Sequence, residues 1–146
     1  MILRILLFIG LLFPSLLFSQ SFGNEWINYD QQYYRFKVAE TGIYRIGKQA
    51  LINSGIPIDA INPKNIQVFG KEKELFIYIK GEEDGSFDDN DFIEFVGYKN
   101  DGSLDSLLYD NPEDMLNPNY SLINDTLTYY VTWNNATNNR RATLES

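Results

Sequence analysis

Apolar and polar residues alternate along several short segments of this chain, which is the pattern of β-strands that bury one face. The side chains of Tyr34, Phe36 and Val38 are predicted to face the core. Arg35 and Lys37 alternate with them and are predicted to face solvent. The same pattern predicts further strands over residues 43–46, 66–70, 92–96, 127–133 and 140–145. Short strands separated by turn residues favour antiparallel sheets.

Three segments depart from this alternation. Residues 75–79 are apolar on both faces, which predicts a central strand covered on two sides. Residues 48–54 are the helical candidate, because Gly55 follows where a left-handed cap is needed and Pro57 prevents continuation. Residues 110–124 contain two Asn-Pro steps and have no clear period, so they are predicted to form a long ordered loop.

These elements predict a mainly β fold, an antiparallel β-sandwich with one short helix. Apolar residues make up 44% of the chain and aromatic residues 15%, enough to build the core of one domain. We assign residues 20–146 to this domain. The last predicted strand stops at Ser146 without a terminating signal, so we expect the domain to be truncated at its C-terminal end.

Residues 1–19 have the order of regions found in secretory signal peptides: a basic start at Arg4, a long apolar run and a small-residue end. The alternative is a membrane anchor, but Pro14 and the short run argue against it. We expect cleavage after Ser19, or alternatively after Ser21. The remaining chain is then expected to be exported, without insertion into the membrane.

The composition excludes several kinds of chemistry. The chain has no cysteine and no histidine, which rules out a thiolate nucleophile, a Ser-His-Asp triad and imidazole or thiolate metal ligands within it. Its net charge of −8 opposes binding to phosphate backbones, so nucleic acid is not an expected partner. Carboxylates, lysine and tyrosine remain as candidate catalytic groups.

Residues 82–91 are strongly acidic and therefore a candidate calcium site, because hard cations prefer carboxylate oxygens. They do not form an EF-hand: with Gly85 at the invariant glycine, Lys80 occupies the first ligand position. The alternatives are a solvated β-hairpin connection, which we favour, and a glycosidase carboxylate pair. The candidate calcium ligands are Asp84, Asp88, Asp89 and Asp91.

Other motifs have both a functional and a structural interpretation. Aromatic residues at alternating positions could form a sugar-binding platform, but we expect them to belong to the core: Tyr34, Phe36, Tyr129 and Trp133. The pair Arg140-Arg141 is a potential protease cut site, although a charged strand start on the surface is favoured. Asp105-Ser106-Leu107 and Asp125-Thr126-Leu127 fit a bacterial O-glycosylation pattern that also arises by chance.

An ordered series of motifs resembles the amino-terminal region of gingipain-type cysteine peptidases, in particular the PorU-type sortases of the type IX secretion system. The resemblance covers residues 22–144, nearly all of the chain after the predicted signal peptide. The motifs that carry it are Phe22–Ile27, Tyr34–Ile46, Asn62–Gly70, Gly81–Phe87, Asp91–Phe95, Leu107–Pro112 and Tyr120–Thr126.

The resemblance implies a β-rich, non-catalytic, propeptide-like domain that precedes a peptidase domain absent from this chain. It implies no catalytic residue here, because the cysteine and histidine of that family belong to the peptidase domain. The expected partners are the peptidase domain of a longer parent protein or secretion-system components, in the periplasm or at the cell surface. The alternative is a free-standing surface or secreted module that binds glycan or calcium.

Overall fold

The computed structural model describes residues 23–103, 105–117 and 119–143. The predicted signal peptide lies outside these residues, as does the end of the predicted strand 140–145. The described part contains seven strands in two antiparallel sheets and one short α-helix, which confirms the predicted mainly β sandwich class. The elements are β1 (Tyr34–Val38), β2 (Gly42–Gly47), α1 (Lys48–Asn53), β3 (Ile66–Gly70), β4 (Lys73–Glu74), β5 (Tyr78–Lys80), β6 (Phe92–Gly97) and β7 (Leu127–Trp133).

The strands form a four-stranded sheet in the order β1-β7-β3-β4 and a three-stranded sheet in the order β2-β6-β5. Aromatic rings connect the two sheets. The ring of Phe95 in β6 lies 5.6 Å from that of Phe36 in β1 and 5.9 Å from that of Tyr129 in β7. The core therefore lies between the sheets, as expected for a sandwich.

The predicted alternation in β1 and β7 is confirmed. Val38 is fully buried, Tyr34 and Phe36 pack against the core, and Arg35 and Lys37 are exposed. In β7 the inward side chains include Tyr129, whose hydroxyl accepts a hydrogen bond from Tyr98 N at 2.7 Å and donates one to Tyr98 O at 3.1 Å. Each buried large apolar side chain contributes roughly 1.5–3 kcal/mol to stability.

The ring of Tyr129 also explains a glycine at the end of β3. Gly70 pairs with Tyr129 across β3 and β7, and a Cβ atom on residue 70 would collide with the tyrosine ring. Residue 70 must therefore be glycine. Burial of the phenol raises the pKa of Tyr129. The two hydrogen bonds of the hydroxyl hold Tyr98 directly after the end of β6.

The prediction of a central strand over residues 75–79 is wrong. Its last part forms β5 at the edge of the three-stranded sheet, and Phe76 is 63% exposed. The strand covered on both faces is β3, in which all five residues are buried. Its outward Phe69 is covered by Trp26 and Tyr33, which come from the segment before β1.

The predicted helix and loop are confirmed. Helix α1 ends at Asn53, and Gly55 follows in the left-handed region with φ of 81°. Residues 110–124 contain a 3₁₀ turn at Pro112–Asp114 and no strand among their described positions. The strand predicted over residues 140–145 is wrong in its described part, where Arg141 forms an isolated parallel bridge with Ile77. No helix in the described ranges has the length and apolar character needed to cross a membrane.

Candidate interaction face

The surface of the three-stranded sheet that points away from the core is the candidate site, and we call it the outer face. Alternation along β2, β5 and β6 sends every second side chain to it. The cross-strand pairs are Ile43 with Val96 and Arg45 with Glu94, and Tyr78 pairs with Glu94 from the other side. The outer face consists of Ile43, Arg45, Phe76, Tyr78, Lys80, Phe92, Glu94 and Val96.

One end of the outer face is an apolar row that is open to solvent. Ile43 is 73% exposed, Phe76 63% and Val96 48%. Together with Tyr78 and Ala142 they line a shallow groove of about 160 Å³. Adjacent exposed apolar side chains on a folded protein mark a surface whose burial by a partner is favourable.

The other end of the outer face is cationic and aromatic. The guanidinium of Arg45 lies 3.8 Å from the centre of the Phe92 ring and donates to Glu94 Oε2 at 2.7 Å. Lys80 Nζ lies 5.8 Å from the same ring. An ion pair this exposed contributes only about 0–1 kcal/mol to stability. Its main effect is to fix the position of the Arg45 guanidinium on the sheet.

A further cation borders the apolar row. The guanidinium of Arg140 lies 5.1 Å from the centre of the Phe76 ring. Arg45, Lys80 and Arg140 thus lie around the outer face together with two acids, Glu94 on the face and Glu74, whose carboxylate accepts a hydrogen bond from Arg140 N at 3.0 Å. This local excess of positive charge contrasts with the net charge of −8 of the whole chain. A complementary partner would present apolar side chains flanked by carboxylates.

The acidic segment forms the connection between β5 and β6, and these strands pair antiparallel, which confirms the hairpin interpretation. The buried Asp91 accepts a hydrogen bond from Asp88 N at 2.7 Å, and Asp84 accepts one from Ser86 N at 2.9 Å. The exposed Asp89 lies 3.8 Å from Lys48 Nζ. Within the described ranges, no group of three or more acidic side chains is placed to hold a metal ion. Calcium binding by the four predicted ligands therefore stays a prediction from the sequence.

Arg141 has a structural role that sequence reasoning missed. Its Nε donates to Glu82 Oε2 at 2.7 Å, and its terminal nitrogens donate to the carbonyl oxygens of Pro63, Lys64 and Ile66. Only 19% of its side chain is exposed, so the prediction that it starts a charged surface strand is wrong. The bonds hold residues 140–142 beside the outer face, where Ala142 N donates to Ile77 O at 2.9 Å.

The aromatic residues proposed as alternative platform members pack as core, as expected. Tyr34 stacks on Trp133 at 5.9 Å, and Phe36 stacks on Tyr129 at 5.7 Å. A different aromatic cluster covers the outer side of the four-stranded sheet. This cluster consists of Trp26, Tyr33, Phe69 and Tyr130. The sequence did not predict it, because Trp26, which contacts the other three rings, lies in no predicted strand.

The two glycosylation-like patterns have different surroundings. Ser106 lies in a 3₁₀ turn, where its hydroxyl donates to Ser103 O at 3.0 Å. Asp105 beside it is buried and accepts a hydrogen bond from the hydroxyl of Ser121 at 2.7 Å. Thr126 is partly exposed and donates to Asp125 Oδ1 at 3.3 Å. Both hydroxyls are engaged within their own loops.

No protein-family model matches this chain, and neither does any curated protein or solved structure. The resemblance to gingipain-type peptidases therefore stays a prediction from the sequence motifs. The geometry and charge of the outer face are the structural ground for a proposal about function.

Proposed function

We propose that this chain is the exported, non-catalytic amino-terminal domain of a PorU-type, gingipain-like sortase. In this proposal it docks onto the peptidase domain of a longer parent protein through the outer face of its three-stranded sheet. The docked domain supports folding of the peptidase or shields it before activation. The observation that carries the proposal is the open apolar row of Ile43, Phe76 and Val96.

The energetics favour a covered outer face. Fully burying a side chain of this size contributes roughly 1.5–3 kcal/mol. Three such side chains side by side therefore supply several kcal/mol toward association, before the entropic cost of binding is subtracted. The cations around the row add specificity, because they select a partner surface with acidic groups at matching positions.

The composition agrees with a non-catalytic role. A gingipain-type reaction needs a thiolate and an imidazole, and this sequence contains neither cysteine nor histidine. Both groups would have to come from the peptidase domain. The domain described here would then contribute contact surface and no reacting group.

The test uses a gingipain-type peptidase domain from the same genome, expressed separately from residues 20–146. Binding of the two is measured by isothermal titration calorimetry. We expect a stoichiometric complex that Ile43→Asp and Val96→Glu each weaken at least tenfold, or by about 1.4 kcal/mol. Both positions are exposed, so the variants should fold, and their melting curves check this.

The matched control is Leu122→Asp, which places the same charge at an exposed apolar residue in the long loop, outside the outer face. It should bind like the unmodified domain. Equal weakening by all three variants would mean that the effect is one of charge alone. If the unmodified domain does not bind the peptidase domain but binds a purified secretion-system component, the proposed partner is wrong.

A further inference from the structure

A cleft of about 440 Å³ opens at the other sheet, away from the outer face. Four separate segments surround it: the stretch before β1, the β3–β4 turn, the loop after β6 and the entry into β7. Its volume lies in the range of small-ligand sites. The side chains that matter for its chemistry are Trp26, Lys71, Glu72, Asn100, Asp105 and Tyr130.

The turn at the rim of the cleft has an unfavourable backbone. Lys71 and Glu72 join β3 to β4 with φ values of 48° and 63°, in the left-handed region that favours glycine or asparagine. Lys71 Nζ donates to Asp101 Oδ2 at 2.7 Å and to Ser103 Oγ at 3.1 Å. These bonds hold the turn in place and position Glu72 beside the cleft. Two positive φ values in succession are what a two-residue hairpin turn of this type requires, and here they set where Glu72 lies.

One wall of the cleft is aromatic. The Trp26 ring lies 5.3 Å from the Tyr130 ring and 5.3 Å from the Phe69 ring, and it remains partly exposed. Three neighbouring rings restrict its orientation. A partly exposed, immobilised indole gives a flat apolar surface to a ligand at little cost in side-chain entropy.

The lining also includes polar groups that are held by the loop after β6. Asn100 is buried, its amide donates to Asn124 O at 3.0 Å, and its Oδ1 accepts from Gly102 N at 3.1 Å. Asp105 is buried and accepts from the hydroxyl of Ser121. Thr126 and Thr128 add hydroxyl groups to the lining. The polar groups around the cleft are thus set before any ligand arrives.

Charge narrows the ligand class. Lys71 is paired with Asp101, and the lining also contains two acids, Glu72 and Asp105. On a chain of net charge −8 they disfavour phosphates, sulfates and other anions. An aromatic ring together with carboxylate and amide groups in one cleft suits a neutral ligand with C–H faces and many hydroxyls.

We propose that this cleft binds a neutral saccharide, with a sugar ring on Trp26 and its hydroxyls donating to Glu72. This site is independent of the outer face, and its failure would leave the docking proposal unaffected. It also differs from the core aromatic residues considered as a platform from the sequence. A peptide rich in arginine, which the same acids and indole would attract, is the competing occupant.

The experiment titrates residues 20–146 with maltotetraose, cellotetraose, mannotetraose and chitotetraose, and with a heparin tetrasaccharide and tetra-arginine for comparison. Trp133→Phe leaves Trp26 as the only tryptophan, so its fluorescence reports on the cleft. We expect at least one neutral tetrasaccharide to change this fluorescence. Trp26→Ala and Glu72→Gln should each weaken its binding at least tenfold, as measured by calorimetry.

Glu72→Gln keeps shape and lies on an exposed turn, so it tests binding even if Trp26→Ala disturbs the fold. Glu113→Gln, another exposed acid outside the lining, is its matched control and should bind normally. The proposal is overturned if no neutral saccharide binds, or if only heparin or tetra-arginine does. It is equally overturned if a neutral saccharide binds and neither Trp26→Ala nor Glu72→Gln weakens it.

Discussion

The two sheets differ in what lies on their outward sides. On the four-stranded sheet, Trp26 and Tyr33 from the segment before β1 cover Phe69, which is 9% exposed. On the three-stranded sheet, the ring of Phe76 lies 5.1 Å from the guanidinium of Arg140 and is 63% exposed. The apolar outer surface of the four-stranded sheet is already buried within the domain, whereas that of the three-stranded sheet is available to a partner.

The largest expected effect comes from exchanging phenylalanine for alanine on the two sides. Phe69→Ala removes a buried ring and should lower the free energy of unfolding by about 3 kcal/mol. Phe76→Ala removes an exposed ring and should change it by less than about 0.5 kcal/mol. Urea unfolding of both variants makes the measurement. Similar losses would mean that Phe76 is covered in solution, for example by self-association.

Removing the cover itself should have the next largest effect. Trp26→Ala exposes Phe69 and Tyr130, and we expect a loss of about 2 kcal/mol because the indole is only partly buried. Tyr29→Ala, in the same segment but 79% exposed, is the control and should be nearly neutral. If thermal melting gives the two variants equal stability, the segment before β1 does not protect the sheet.

The border of the open sheet depends on Arg141. Arg141→Ala removes one donor from Glu82 and from three backbone carbonyls, of which Lys64 O keeps Asn139 Nδ2 and Pro63 O keeps Ile66 N, and should cost about 1–2 kcal/mol. It should also speed hydrogen exchange at Ala142 N, which bonds to Ile77 O. Arg140→Ala, which removes the contact with Phe76 and one hydrogen bond to Glu74 O but none of the bonds of Arg141, should leave that exchange rate unchanged. Equal exchange rates in both variants would contradict the anchoring role.

The smallest effect concerns pH at the covered sheet. Hydrogen bonds from Lys71, then from Ser103, hold the pKa of Asp101 well below its usual range. A lowered carboxyl pKa in the folded state gives stability that is present above the unfolded pKa of about 3.9 and is lost as pH falls below it. Asp101 is 46% exposed, so solvent screening limits the loss to under about 1 kcal/mol.

Asp101→Asn should therefore slightly flatten the acid side of the curve of unfolding free energy against pH. Above about pH 5, roughly one unit above the usual carboxyl pKa, the curves of the variant and the unmodified protein should be parallel. Urea midpoints measured across this range detect the difference. An unchanged acid slope would contradict the pairing with Lys71.

The alternation of apolar and polar residues correctly predicted the features that depend on neighbouring residues in the sequence. The alternation around Phe36 and Tyr129 set the inward faces of β1 and β7 correctly, and Gly55 marked the end of α1. The sequence wrongly predicted residues 75–79, and not residues 66–70, as the strand covered on both faces. Both are short apolar runs, and what separates them is Trp26, some forty residues earlier in the chain, which packs on Phe69.

The candidate sites depended even more on distant contacts. No sequence pattern shows that Arg141 reaches Glu82 and the carbonyls near residue 64, because the bonding groups are about 60 to 80 residues apart. The alternation of residues 92–96 predicted that Val96 lies on the side of the sheet away from the core. It did not predict that the described part of the chain leaves this side chain 48% exposed. The acidic segment was correctly predicted as a hairpin connection, whereas calcium binding by it stays a prediction from the sequence.

The position of β7 has a consequence for when the domain folds. β7 lies between β1 and β3, which are not neighbours, and it pairs with both along their full length. As the chain emerges from the ribosome, β1 and β3 have no common partner until residues 127–133 have been made. The four-stranded sheet then closes late and over long sequence separations, which slows folding. β7, the last strand among the described residues, thereby sets when the four-stranded sheet can form during synthesis.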